Sequence, residues 1–337
     1  MYPEWLPEPL APVVARLARV DDCIYEIGDL SGQWSLDALD LEQRRRRDGR
    51  YRVVVVAVRP IPPVISLLFS EAINHLRSIL DNAVWHIVAK AMGPLDDQAA
   101  RKVAMPIYEE VTKFDDWAKR IRGRVPELGD ETRAAYQRVS SLQPFASGAR
   151  VASISPTLAA VMDVKAEEVH PLLLLQAYSN LDKHRSIAMM SGQTIFLNEG
   201  LPLGVQDRSF RRLGVGTILA EGTWGTAEVA GSQAAVLVER PSPWEAAVSP
   251  ATEAALLRDW VRLHALPILV TGSAEVAAAL PVTIELGDDG RSLSERITKI
   301  SRPSGRQRLE SIQGSRLGAA LTQPPKFLPV VDEEFED

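Results

Sequence analysis

The chain has 337 residues, 46% of them hydrophobic and 24% charged, with a formal net charge of −6. These proportions describe a soluble globular protein long enough to bury a substantial core. The acidic balance supplies no overall field to attract nucleic acid, which leaves only local basic patches, and the single cysteine, Cys23, excludes a disulfide framework or a cysteine zinc site within one chain.

Residues 1–34 read as an N-terminal helical extension. Leu10, Val13, Val14, Leu17 and Val20 recur at helical spacing, and Gly28-Asp29-Leu30-Ser31-Gly32 is expected to break the helix. The first residues lack the basic and apolar regions of a signal peptide, and no apolar run approaches a membrane span, so the expected location is the cytoplasm. Cys23 follows Asp21-Asp22, acidic surroundings that disfavour a thiolate, and is read as inert. A second helix is predicted over Leu36 to Arg47. Its closing run, Arg44-Arg45-Arg46-Arg47, reads as a solvated helix end favoured by the dipole, with a nucleic-acid contact as the sharper alternative. Asp48-Gly49 signals a turn, and Tyr51 to Val58 a buried strand ended by Pro60, Pro62 and Pro63.

A long helix is predicted from Val64 or Ser66 to Ala91, stopped by Gly93-Pro94. Ala72, Ile73, Leu76, Ile79, Leu80, Ala83, Val84 and Ile87 form its apolar stripe, with Ser70, Asn74, Arg77 and Asp81 opposite. Shorter helices are predicted over Phe114 to Ile121 and Asp130 to Leu142. Pro171 opens a helix expected to run to about Met190 and to be buried, because it is apolar nearly all round. Strands are predicted over Gln193 to Leu197, Gly216 to Ala220, Thr226 to Val229, Ala234 to Glu239 and Val282 to Leu286, the first four as an antiparallel meander. Gly214-Val215-Gly216 reads as a strand entry, since no helix opens after it. Ala251 to Leu266 and Leu293 to Ile300 are predicted helices.

The fold class that follows is α+β: a helical, bundle-like layer packed on an antiparallel β-sheet. The core is placed at residues 35–300, with its helical part at 64–190 and its β-rich part at 191–290 joined by strand 51–58. Residues 301–337, with Pro324-Pro325 and the closing Asp332-Glu333-Glu334-Phe335-Glu336-Asp337, read as a disordered acidic tail.

Two charged stretches stand out, Ser70 to Asn82 and Ser179 to Arg185. Arg77 and Asp81 are one helical turn apart, as are Asp182 and Arg185, so each pair shares a face. Facing helices would place Arg77 on Asp182 and Asp81 on Arg185 or His184. Such balance is needed, because removing one partner of a buried pair costs roughly 3–5 kcal/mol. The expected structural network is Asn74, His75, Arg77, Asp81, Asp182 and Arg185. The alternative is a polar catalytic pocket in which His184 moves a proton, Arg77 or Arg185 holds an anion and Asp182 assists. A metal site from His75, Asp81, Asp182 and His184 has unspecific spacing, so no metal and no cofactor is expected.

These stretches carry a resemblance. Glu71-Ala72-Ile73-Asn74-His75-Leu76-Arg77-Ser78-Ile79-Leu80-Asp81, then Met105-Pro106-Ile107, Leu142-Gln143-Pro144-Phe145 and Asp182-Lys183-His184-Arg185, resemble the HNLRSALD, FPI, LQPY and DKHR series of a family of uncharacterised bacterial proteins. The family's His-Asn order is exchanged here as Asn74-His75. The resemblance implies no established activity. A remoter similarity, to HEPN-type helical ribonucleases, rests on Arg258 with His264. In that family an Arg stabilises the phosphorane and a His moves protons, without metal. Six helical positions separate the two, about 240° around a regular helix. The sequence therefore favours a non-enzymatic structural or interaction protein, with a metal-independent ribonuclease as the alternative. RNA and a protein partner are both left open, as is an oligomer. No membrane partner is expected.

Overall fold

The structure is a computed structural model that describes residues 2–197, 211–223, 231–299, 302–312 and 328–332. Its helical layer is formed by α1 (Ala11–Ser35) and α2 (Val64–Met92), which lie against one another along their apolar faces. Val14, Leu17, Val20 and Ile27 of α1, and Ile73, Leu76, Ile79, Leu80, Ala83 and Val84 of α2, are fully buried. At about 25 cal/mol per Å² of apolar surface, each large side chain buried here contributes on the order of 2 kcal/mol. The predicted stripe of α2 is thus the core stripe, apart from Ile87, which is half-buried. Side chains from Leu6 to Trp34 contribute to this core.

The glycine pair in α1 does not break it. A Cβ on Gly28 would stand 2.5 Å from Leu309 Cδ1, and one on Gly305 would stand 2.4 Å from the Asp21 carbonyl oxygen. Helix 305–312 therefore lies close against α1, and packing outweighs the glycine's cost of about 1 kcal/mol in a helix. The part of the tail over 302–312 is ordered against α1, contrary to expectation. Arg302 and Arg308 reach Asp22 at 2.7 and 3.2 Å, and the Arg308 guanidinium covers the Tyr25 ring at 4.1 Å.

Leu36 to Arg47 is a second correction. Instead of a helix it forms β1 (Leu39–Arg45), paired antiparallel with β2 (Arg50–Val58). The hairpin turn at Asp48-Gly49 and the neighbouring valine strand offer this segment a ladder that outweighs its helical propensity. After α2 come α3 (Asp97–Ala100), α4 (Val111–Ile121), α5 (Pro126–Gly129), α6 (Ala134–Ser141), β3 (Val151–Ala152), α7 (Pro156–Met162), β4 (Glu168–Val169) and α8 (Pro171–His184). The remaining strands are β5 (Met189–Leu197), β6 (Arg211–Arg212), β7 (Ile218–Thr223), β8 (Gly231–Glu239) and β9 (Ala247–Val248). Helix α9 (Pro250–Trp260) continues through a π turn at Val261–Ala265 into α10 (Leu266–Thr271); α11 (Leu293–Thr298) and β10 (Val330–Asp332) follow.

The fold is α+β, with helices packed on two four-stranded sheets. One sheet has the order β10-β1-β2-β7, and the other β6-β5-β8-β9. The predicted single meander is divided, because β7 leaves β5 and β8 to pair with β2. The tail strand β10 joins β1 in parallel, the one parallel pairing among the described residues. Val282 to Leu286 holds no strand, and Ile284 is buried in a loop. The predicted strand Thr226 to Val229 lies outside the described residues.

Candidate functional site

The site at the contact of α2 and α8 begins with the long polar stripe of α2. Its residues meet the other three motifs one by one. Asp81 Oδ1 accepts the Met105 backbone N–H at 2.8 Å, and Arg77 Nη2 donates to the Met105 carbonyl at 3.4 Å, so one residue is held at both its polar ends. Arg77 and Asp81 stand 3.9 Å apart, a loose pair along the helix. Burial pushes the Arg77 guanidinium below its ordinary value, and Asp81 opposes that shift. Its Nη1 is buried with no partner among the described residues.

The neighbouring motif completes the grip. Gln143 is fully buried, accepts the Tyr108 N–H at 3.0 Å and donates Nε2 to the Pro106 and Val139 carbonyls at 3.0 and 3.1 Å. Phe114 then stacks between Tyr108, Trp117, Tyr136 and Phe145 with ring centroids 5.3–6.2 Å away. A loop that would otherwise bury unpaired peptide groups is thus satisfied by side chains from α2 and the end of α6.

Asn74 makes the bridge to α8. Its Nδ2 donates to Asp182 Oδ2 at 3.0 Å, and Ser66 Oγ donates to the Ile187 carbonyl at 2.5 Å where the chain leaves the helix. All four motifs are therefore joined through α2 and the loop at 105–108. The expected pairs Arg77–Asp182 and Asp81–Arg185 are not formed. Helix α8 ends at His184, Arg185 is extended (φ −153°, ψ 155°) and β5 begins at Met189, so the helix does not continue to Met190. Burial of α8 stops at Ser179, and Asp182 is half-buried while Lys183, His184 and Arg185 are exposed.

His75 belongs elsewhere. It faces α1, with Nδ1 3.0 Å from Arg16 Nη1 and Nε2 3.5 Å from Glu71 Oε1. Burial, with Arg16 second, pushes its pKa below the ordinary histidine value. Glu71 is also gripped by Arg19 through two bonds of 2.7 and 2.9 Å, which hold its carboxyl low. Cys23 is buried beside this group, and burial pushes its thiol up to about 12, so it stays protonated.

Two charged centres escaped the sequence reading. Arg240 and Glu253, both buried, form a two-bond pair at 2.9 and 3.0 Å, with the Tyr178 hydroxyl donating to Glu253 at 3.4 Å. Arg258 pairs with buried Asp21 at 2.5 Å, and the Gly305 N–H donates to the same carboxylate at 2.6 Å. Only Asp21 left a readable signal, a carboxylate set on the stripe of Leu17, Val20 and Ile24. This second centre also separates the Arg258–His264 couple, since Arg258 is locked inside while His264 is exposed. Among the described residues, no three His, Cys, Asp or Glu groups converge for a metal ion, and no helix is long and apolar enough to cross a membrane.

Comparison with models of known protein families, with curated protein sequences and with solved structures found no match for this chain. The motif series rests on its own residues and on the contacts among them.

Proposed function

We propose that the protein is a non-enzymatic structural and interaction protein acting in the cytoplasm, in which the motif residues form a clamp and the end of α8 meets a partner. The observation that carries this reading is the double grip on residues 105–108 by Arg77, Asp81 and Gln143. Asp81, Gln143 and Arg77 Nη2 are engaged in holding backbone, which is the use expected of a lock. Lys183, His184 and Arg185, next to the Asn74–Asp182 bridge, give that end of α8 a basic face suited to an acidic partner surface.

The exposure of His184 and Arg185 favours one second reading, a metal-independent ribonuclease in which His184 moves the proton and Arg185 stabilises the phosphorane. A labelled RNA incubated with the protein in excess chelator separates the two. The clamp reading predicts intact RNA and a Tm lowered by Asp81→Ala, with the Tm unchanged in Lys183→Gln/His184→Gln/Arg185→Gln. RNA cleavage that His184→Ala abolishes at unchanged Tm would replace it with the ribonuclease reading.

A further inference from the structure

An open recess of about 550 Å³ lies between the start of α1 and the C-terminal half of α2. One side is lined by Pro9, Leu10, Pro12 and Val13, the other by Asn82, Trp85, His86, Ala89 and Lys90. The second set recurs at i, i+3, i+4, i+7 and i+8, which is a single face of α2. Leu10 and Val13 are buried and give the recess an apolar floor. Pro9, Pro12 and Ala89 are compact and leave the space above it unfilled. The volume falls within the roughly 300–1,000 Å³ of small-molecule sites.

The polar groups around this space are not spent on the fold. Asn82, His86 and Lys90 have no side-chain hydrogen bond or ion pair among the described residues, and His86 Nε2 is buried without a partner. Buried side-chain nitrogens are ordinarily hydrogen-bonded, so one left open beside a recess points to a group that a ligand supplies. Trp85 is 41% exposed, which leaves indole surface available for stacking.

The charge in the recess has one sign. Lys90 is exposed one turn beyond His86, and no carboxylate is among the lining residues. Glu8, next to Pro9 in the chain, makes no ion pair with Lys90 among the described residues. Burial first and Lys90 second push His86 below the ordinary histidine value, so the two groups sense one another. Such a set disfavours a cationic ligand and favours an anionic one. Lys90 also answers the C-terminal dipole of α2, which explains the cation but not the unpartnered imidazole or the exposed indole on the same face.

We propose that this recess binds a small planar aromatic carboxylate. Its rings stack on Trp85 above Leu10 and Val13, and its carboxylate meets Lys90 and His86, whose ring no hydrogen bond fixes and which turns Nε2 to the ligand. Asn82 and Lys90 are eight residues apart, about 12 Å along a helix, the span of a two-ring carboxylate with a polar substituent at its far end for the Asn82 amide. The site uses none of the clamp residues and stands apart from the partner surface at the end of α8.

Isothermal titration calorimetry of the full chain with 6-hydroxy-2-naphthoate, and with 6-hydroxy-2-naphthamide as its uncharged counterpart, tests this near neutral pH. The carboxylate is expected to bind about tenfold tighter than the amide, Lys90→Gln to remove that difference, and Trp85→Ala to weaken both about fivefold. In NMR spectra, the carboxylate should shift the His86 ring resonance, identified by its loss in His86→Gln, and leave that of exposed His184 in place. Equal binding of carboxylate and amide overturns the proposal. So does binding that Lys90→Gln and Trp85→Ala leave unchanged, or no saturable binding below about 1 mM. If Trp85→Ala melts early, Ala89→Leu, which fills the recess from α2, takes its place and is expected to abolish binding of both compounds.

Discussion

The two ends of α8 present polar groups that have opposite fates. At the N-terminal end His170 is 3% exposed, caps the helix by accepting the Leu172 N–H at 3.3 Å and meets the Trp260 ring edge-on at 5.9 Å. Two turns on, Tyr178 joins the buried Arg240–Glu253 pair. At the C-terminal end, Asp182 is held by Asn74 alone among the described residues, and Lys183, His184 and Arg185 are exposed. The charge at the inner end is answered by several groups: Arg240 reaches Glu253, the Glu167 backbone and the Val151 carbonyl. At the outer end, one bond is on offer and the neighbouring side chains are left in water.

The largest effect expected from this contrast is at the inner end. Glu253→Ala strands the Arg240 charge and should cost roughly 3–5 kcal/mol in urea unfolding. A cost below about 1 kcal/mol would erase the distinction between the two ends. Next comes acid. Burial, with Arg150 second, pushes His170 down to about 4 from an ordinary value of 6.5. Between those values the unfolded chain binds the proton and the folded chain does not. The contribution of His170 is therefore complete above pH 6.5 and is lost as pH falls toward 4, by up to about 3 kcal/mol. His170→Asn keeps a capping side chain and should flatten that slope in unfolding measured between pH 7 and pH 4.5. The smallest effect belongs to the outer end: Lys183→Gln/His184→Gln/Arg185→Gln should change stability by no more than about 0.5 kcal/mol at pH 7. A larger loss would mean that these side chains hold the fold.

Much of this was legible in the residues. The stripe of α2 and the turn at Asp48-Gly49 are local patterns with one reading each. The four motifs could be seen to belong together, but not how, because Asp81 and Gln143 bind peptide groups of a loop and no periodicity announces a backbone partner. The end of α8 departs from its sequence pattern for a related reason. An all-apolar pattern implies burial over the whole helix, whereas the buried residues of α8, packed on α2 and α9, end at Ser179. Gly28 has the local signature of a helix breaker, but the residue that packs on it, Leu309, is far along the chain. Sequence shows what a residue can tolerate; the long-range neighbour decides which option is taken.

The clamp on residues 105–108 is tested most directly by urea unfolding of Asp81→Ala, Gln143→Ala and the double variant. Asp81→Ala leaves the Met105 N–H unpaired, and Gln143→Ala leaves the Tyr108 N–H and the Pro106 carbonyl unpaired in the interior. Losses of about 2 and about 3 kcal/mol are expected, with a double-variant loss that departs from their sum by at least about 0.5 kcal/mol because both grip one loop. Single losses within about 0.5 kcal/mol of zero, with strictly additive behaviour, would contradict the account.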